Sequence, residues 1–129
     1  MNIENSQTPE IAGGATSPVR TVSVVGLGYI GLPTAAMFAS SGLTVRGLEV
    51  SRRVVDIVNA GGIHIEEGDL DTIVARCVGE GRLTAHLDAQ PADAFIVAVP
   101  TPVGHDDSHA PDVSYVQAAG RAIAPVLKK

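Results

Sequence analysis

An α/β fold on a parallel sheet is predicted by three features of this 129-residue sequence. Short β-branched runs alternate with stretches of helical period, the pattern of βαβ units with right-handed crossovers. The last of those runs, Ala94–Val99, is continuous and apolar, as strands buried on both faces are. The first strand hands over to its helix through three glycines, Gly26, Gly28 and Gly31, within V-V-G-L-G-Y-I-G-L-P. The expected spatial order is 3-2-1-4, the first half of a doubly wound, Rossmann-like sheet plus one strand.

Each element has a local reason. Thr21–Val25 (T-V-S-V-V) is a β-branched run ended by Gly26, as in a buried strand. Tyr29–Ser41 carries helix formers, with Ala35, Ala36 and Ala39 small enough to lie close on a sheet, and Gly42 follows as a C-cap. Thr44–Leu48 is the second strand. Ser51 then N-caps a helix that runs to about Asn59 and is stopped by Gly61-Gly62. Asp69 stands at the cap position of the next helix. Its Leu70, Ile73, Val74, Cys77 and Val78 recur at helical spacing, and Gly79 and Gly81 close it. Leu83–Ala85 is a weak third strand. Pro100 ends the fourth, and Asp112 or Ser114 caps a last helix leading into A-I-A-P-V-L-K-K.

Composition narrows the function classes. The chain is 45% apolar with two Phe, two Tyr and no Trp, so Val, Ala, Leu and Ile must build the core. A net charge of -5 argues against a nucleic-acid partner, which calls for a basic footprint. A lone cysteine rules out an internal disulfide and fits a reducing, cytoplasmic setting. No apolar stretch approaches the roughly 20 residues that span a bilayer, so no membrane partner is expected. Residues 1–19, rich in Ser, Thr, Pro and Gly, read as a flexible leader without a secretory signal, and the domain proper spans residues 20–129. Ending after a helix leaves the edge of the most apolar strand uncovered, which predicts a domain incomplete at its C-terminus.

The glycines need a ligand to explain them. In G-x-G-x-x-G at a strand-to-helix junction, the first glycine makes the tight turn and the second lets a pyrophosphate approach the backbone. The third lets helix and strand pack, while free N–H groups at the helix start face the anion. The motif also demands an acid about 20 positions on, at the end of the second strand, to hold a ribose. Glu49 stands there. A carboxylate suits the free diol of NAD and repels the 2′-phosphate of NADP, although Arg46, Arg52 and Arg53 lie close by. An arginine after the acid can instead stack on the base.

At this point four segments carry a resemblance: G-L-G-Y-I-G-L-P-T-A, N-A-G-G-I-H-I-E-E-G-D-L, V-A-V-P-T-P, and A-P-D-V-S-Y-V with A-I-A-P-V-L-K-K. Together they resemble the N-terminal domain of the UDP-glucose/GDP-mannose dehydrogenase family, and most closely the branch acting on UDP-N-acetylmannosamine. The resemblance implies oxidation of a sugar C6 alcohol to a carboxylate with two NAD+ and a cysteine thioester. The nucleophile and the UDP-sugar pocket belong to domains beyond this chain, and the whole enzyme is expected to be a homo-oligomer. Gly26, Gly28 and Gly31 match the family's pyrophosphate loop. Tyr29 and Ile30 match residues whose backbone lies on the cofactor, and Thr101 matches a cofactor-contacting threonine. Glu49 takes the place of the usual aspartate, and Gly68 that of a proline.

Other residues are set aside. Cys77 lies on the apolar stripe of a helix and reads as a small hydrophobe, not a nucleophile. His105, Asp107 and His109 have no ligand spacing, so no metal is expected. His64, between two isoleucines, reads as packing, and Glu66, Glu67 and Asp69 as an acidic helix start. No residue here is assigned a catalytic role. The competing functional reading is a stand-alone NAD-sensing module without chemistry of its own.

Overall fold

The computed structural model describes residues 18–103 and 110–127. Most of the leader and the Gly104–His109 segment, with His105, Asp107 and His109, lie outside the described residues. Four strands form one parallel sheet: β1 (Thr21–Val25), β2 (Thr44–Leu48), β3 (Leu83–His86) and β4 (Ala94–Val97), in the order β3-β2-β1-β4. This is the predicted order. Helix α1 (Gly31–Ser40) follows β1, α2 (Arg52–Asn59) and α3 (Leu70–Gly79) link β2 to β3, and α4 (Ser114–Ile123) runs into a short 3-10 turn, Ala124–Val126.

Alternation along the strands divides the core. Val22, Val24 and Val45 pack with Leu27, Leu32, Ala35, Val58, Val74 and Cys77, so α1, α2 and α3 cover one face. Val25 and Leu48 point the other way, against Ala119 and Ile123 of α4. The alanines of α1 are buried to within 1% and allow the close approach expected of them. Cys77 is fully buried in the larger cluster, as a small hydrophobe should be.

Some local expectations shift. Helix α1 begins at Gly31, two residues later than its composition suggests, because the residues before it are spent on the turn. Asp69 occupies the N-cap position of α3, but its side chain makes no cap hydrogen bond. Ser51 does cap α2, accepting from the Val54 N–H at 3.3 Å. β4 stops at Val97, short of Val99, and lies at the edge of the described sheet, where the predicted order puts it; Val97 is 42% exposed. The opposite edge is tied at one point: the Asn59 side-chain amide donates to the C=O of Ala85 at 2.9 Å and accepts its N–H at 2.8 Å, taking one outward pair of β3 polar groups.

Hydrogen bonds continue past the strand ends and align their carboxyl edge. Gly26 N–H donates to Leu48 O (2.8 Å), Glu49 N–H to His86 O (2.9 Å) and Ala98 N–H to Val25 O (2.8 Å). The Glu49 carboxylate adds a second tie. One oxygen accepts the Leu27 N–H at 3.1 Å and the other the Ser51 N–H at 2.8 Å, so a single side chain joins the turn after β1 to the turn after β2. Leu27 can sit there because β2 carries Gly47: a Cβ at that position would come within 2.7 Å of the leucine side chain.

Two outcomes follow for stability. Glu49→Ala strands the N–H of the fully buried Leu27 and should cost about 1–3 kcal/mol in denaturant unfolding, with Glu49→Gln recovering part of it. An unchanged midpoint for the alanine variant would contradict the tie. Ser23, mid-strand and 1% exposed, has a hydroxyl with no partner among the described residues. Ser23→Ala should therefore stabilise the fold by about 1 kcal/mol and raise Tm by roughly 5 °C; a lower Tm would show that the hydroxyl is bonded.

Candidate functional site

Three surfaces converge at the carboxyl edge of β1, β2 and β4. The first is the glycine turn. Gly26 has φ +95°, a left-handed conformation that side chains resist, and a Cβ there would come within 2.8 Å of Ala98 O. A Cβ on Gly31 would collide with the Gly26 carbonyl, so α1 can start over the turn only with glycine there. Gly28 differs. Nothing lies within 4 Å of where its Cβ would be, so its missing side chain leaves room outside the protein.

The backbone of that turn is ready for an anion. Leu32 N–H bonds Gly28 O at 3.0 Å and Thr34 N–H bonds Ile30 O at 3.1 Å. The N–H groups of Gly28, Tyr29, Ile30 and Gly31 have no hydrogen-bond acceptor among the described residues. They form the positive end of α1, with no acidic residue in its first turn to neutralise it. Tyr29 and Ile30 are 69% and 71% exposed and turn their side chains to solvent.

The second surface is Glu49. Each of its oxygens accepts one backbone N–H, and a carboxylate oxygen has a further lone pair to offer. The two internal bonds fold the longer side chain back and hold its carboxylate beside the glycine turn. Nearby, burial and then the Arg46 guanidinium hold the His86 imidazole below its ordinary range.

The third surface is a cleft of about 340 Å³ that includes Gly26 and Glu49 in its lining. Its walls are Leu48, Val50, Leu87 and Val99, with Tyr115 and the alanines of α4 opposite. The N-cap of α4 is Val113, not Asp112 or Ser114, and makes no side-chain cap bond; the Ser114 hydroxyl and backbone N–H instead hold the Asp112 carboxyl below the usual range, the N–H bond being 2.9 Å long. Among the described lining residues only Glu49 and Tyr115 carry a hydrogen-bonding side chain. Neither thiol nor imidazole is among them.

The expected residues are thus distributed unevenly. Gly26, Gly28, Gly31 and Glu49 meet around one turn. Thr101 is exposed beyond Pro100, which does line the cleft, but Thr101 itself does not. His64 is partly buried with an Nδ1 that has no partner among the described residues, and Glu66, Glu67 and Asp69 are exposed in the loop before α3. Sequence reasoning missed two contributors. One is Gly47, whose signal was a glycine inside a strand. The other is the α4 wall, whose Tyr115, Ala118, Ala119 and Ala122 fall at helical spacing.

A dinucleotide fits these residues: open amides beside Gly28 for a diphosphate, a carboxylate for a diol and an apolar slot for a flat base. Comparison with known proteins agrees. Residues 20–129 match the NAD binding domain of the UDP-glucose/GDP-mannose dehydrogenase family. The chain is 54% identical over 110 residues to an NDP-N-acetyl-D-galactosaminuronic acid dehydrogenase of Ralstonia nicotianae, covering 85% of this chain and 26% of that protein. It is 52% identical over 109 residues to the UDP-N-acetyl-D-mannosamine dehydrogenase of Escherichia coli K12, covering 84% and 26%. The UDP-N-acetyl-mannosamine dehydrogenase Cap5O from Staphylococcus aureus superposes with a TM-score of 0.81 at 40% identity, again over 84% of this chain and 26% of the other. The chain therefore spans about a quarter of the length of these relatives. In sequence and in fold it belongs to the UDP-glucose/GDP-mannose dehydrogenase family, as its NAD-binding domain.

Proposed function

We propose that residues 20–129 are the coenzyme-holding part of a nucleotide-sugar 6-dehydrogenase that oxidises the C6 alcohol of UDP-N-acetylmannosamine to the carboxylate. The observation that carries this reading is the adjacency of three chemically different surfaces at one sheet edge: unpaired amides, a tethered carboxylate and an apolar cleft. The substrate is suggested by the names of relatives at 52–54% identity, which share an N-acetylated sugar. The sugar pocket and the nucleophile are assigned to polypeptide outside these residues, since the relatives are about four times as long. The whole enzyme would act in the cytoplasm as a homo-oligomer. No helix among the described residues is long and apolar enough to cross a membrane.

In this reading NAD+ supplies the hydride acceptor, and the residues of this chain bind and orient it. The N–H groups of Gly28, Tyr29, Ile30 and Gly31 receive the diphosphate, with Gly26 and Gly31 holding the turn in shape. Glu49 takes the adenosine ribose diol on its outward lone pairs while it keeps its bonds to Leu27 and Ser51. The cleft receives the base. Thr101, at the carboxyl side of β4, is assigned to the nicotinamide half, where its N–H and hydroxyl remain after Pro100 and Pro102 remove two donors. A sensing module without chemistry is the second reading; both predict no turnover by this chain alone, so NAD+ reduction with UDP-N-acetylmannosamine by a longer polypeptide that carries residues 20–129 separates them.

Gly28→Ala tests the diphosphate site without disturbing the fold, because the added Cβ meets nothing within 4 Å. Tm should stay within about 1 °C while calorimetric affinity for NAD+ falls by roughly tenfold, or about 1.4 kcal/mol. Equal affinity for NAD+ would contradict the assignment. The isolated chain should bind NAD+ and reduce none of it when given a UDP-sugar; turnover would show that the chemistry resides here.

A further inference from the structure

We infer that Gly47, which lines no part of the cleft, is a positioning residue for coenzyme binding. The size of residue 47 decides whether Leu27 can seat, and through Leu27 whether the Glu49 carboxylate and the glycine turn are held for a ligand. This rests on the coenzyme reading above and adds to it a residue that tunes the site from inside the sheet.

A glycine within a strand weakens it and calls for a reason. Conformation does not supply one, because Gly47 lies outside the left-handed region that Gly26 occupies. Space does. A Cβ at position 47 would come within 2.7 and 2.8 Å of the two Leu27 methyls, and within 3.1 Å of the carbon that bears them. Carbon atoms pack best at about 3.5–4.0 Å, so exchanging the methyls by rotation still leaves the branch carbon too close.

The strand is poorly placed to yield. Gly47 stands between Val24 of β1 and Ala85 of β3 in the register of the sheet, with a ladder on each side. The leucine side chain has little room either: Leu27 is 0% exposed, in the cluster built with α1, α2 and α3. Packed interiors hold few voids for a displaced methyl. The softer part is the backbone of the turn, where Leu27 sits between Gly26 and Gly28. Moving it acts first on the Leu27 N–H bond to Glu49, which at 3.1 Å is the longer of the carboxylate's two; the Ser51 bond is 2.8 Å. The N–H groups of Gly28 to Gly31 follow Leu27 directly in the chain, so the anion site shifts with it.

The test moves one carbon from position 27 to position 47. Gly47→Ala adds a methyl, and Leu27→Val in the same chain shortens the side chain it strikes, a swap that conserves volume. Calorimetry on the 129-residue chain should find NAD+ binding weakened roughly fivefold or more in Gly47→Ala, and restored to within about twofold of the parent in the double variant. Amide hydrogen exchange separates positioning from general loosening. In Gly47→Ala without ligand, the Leu27 N–H should exchange roughly tenfold faster, while the Val45 N–H, bonded to Arg82 O inside the sheet, keeps its protection. Parental NAD+ affinity in folded Gly47→Ala would overturn the inference, as would an unchanged Leu27 exchange rate. So would a double variant as weak as Gly47→Ala, which would place the loss outside the Leu27 contact. Should Gly47→Ala not fold, the double variant decides: parental affinity upholds the inference, and weak binding or failure to fold overturns it. A parent chain that binds no NAD+ overturns the coenzyme reading and this inference with it, an outcome separate from the others.

Discussion

The site depends on one carboxylate that faces two ways. Inward, Glu49 accepts the N–H groups of Leu27 and Ser51 and so fixes the turn after β1 against the turn after β2. Outward, its remaining lone pairs stand where a ribose would lie beside the open amides of the glycine turn. A buried N–H such as that of Leu27 is expensive to leave unpaired, so the inward bonds hold the carboxylate in one orientation before any ligand arrives. Under the proposed coenzyme reading, pre-organisation of this kind lowers the ordering cost of binding, since the side chain is held in place before a diol arrives.

The glycines serve the same geometry by removing atoms. Gly31 and Gly26 are excluded from bearing side chains by contacts inside the protein, with the Gly26 carbonyl and the Ala98 carbonyl filling the space. Gly47, two residues before Glu49, clears room on β2 for Leu27, whose N–H the carboxylate receives. Gly28 is the exception, because its free space lies outside the molecule. Three of these positions therefore shape the protein and one shapes the approach of the ligand.

Much of this was legible in the residues. β-Branched runs, capping signals and glycine stops predict every strand and helix to within two residues, since each rests on local physics. The glycine spacing with Glu49 predicts the coenzyme, because the two requirements fall 18 to 23 positions apart in one βαβ unit. Tertiary facts were not legible. Asp69 looks like a cap, yet whether its side chain turns to the helix depends on the loop before it. The βαβ pattern places Ala94–Val99 last in the sheet order, but where the strand stops, at Val97, depends on contacts that local sequence does not show. The α4 wall of the cleft joins residues some 65 positions apart in sequence from Glu49, and only folding brings Tyr115 to it.

A binding unit that contributes amides, a carboxylate and an apolar slot, with neither thiol nor imidazole in the cleft, suits a division of labour in which coenzyme and sugar are held by different parts of a longer enzyme. The decisive measurement is a crystal structure of this chain with NAD+. It should find both adenosine ribose hydroxyls within about 3 Å of the Glu49 oxygens while the Leu27 N–H stays bonded to the same carboxylate. A ribose bound elsewhere, or a carboxylate that leaves Leu27 to reach it, would contradict the two-sided role on which the site is built.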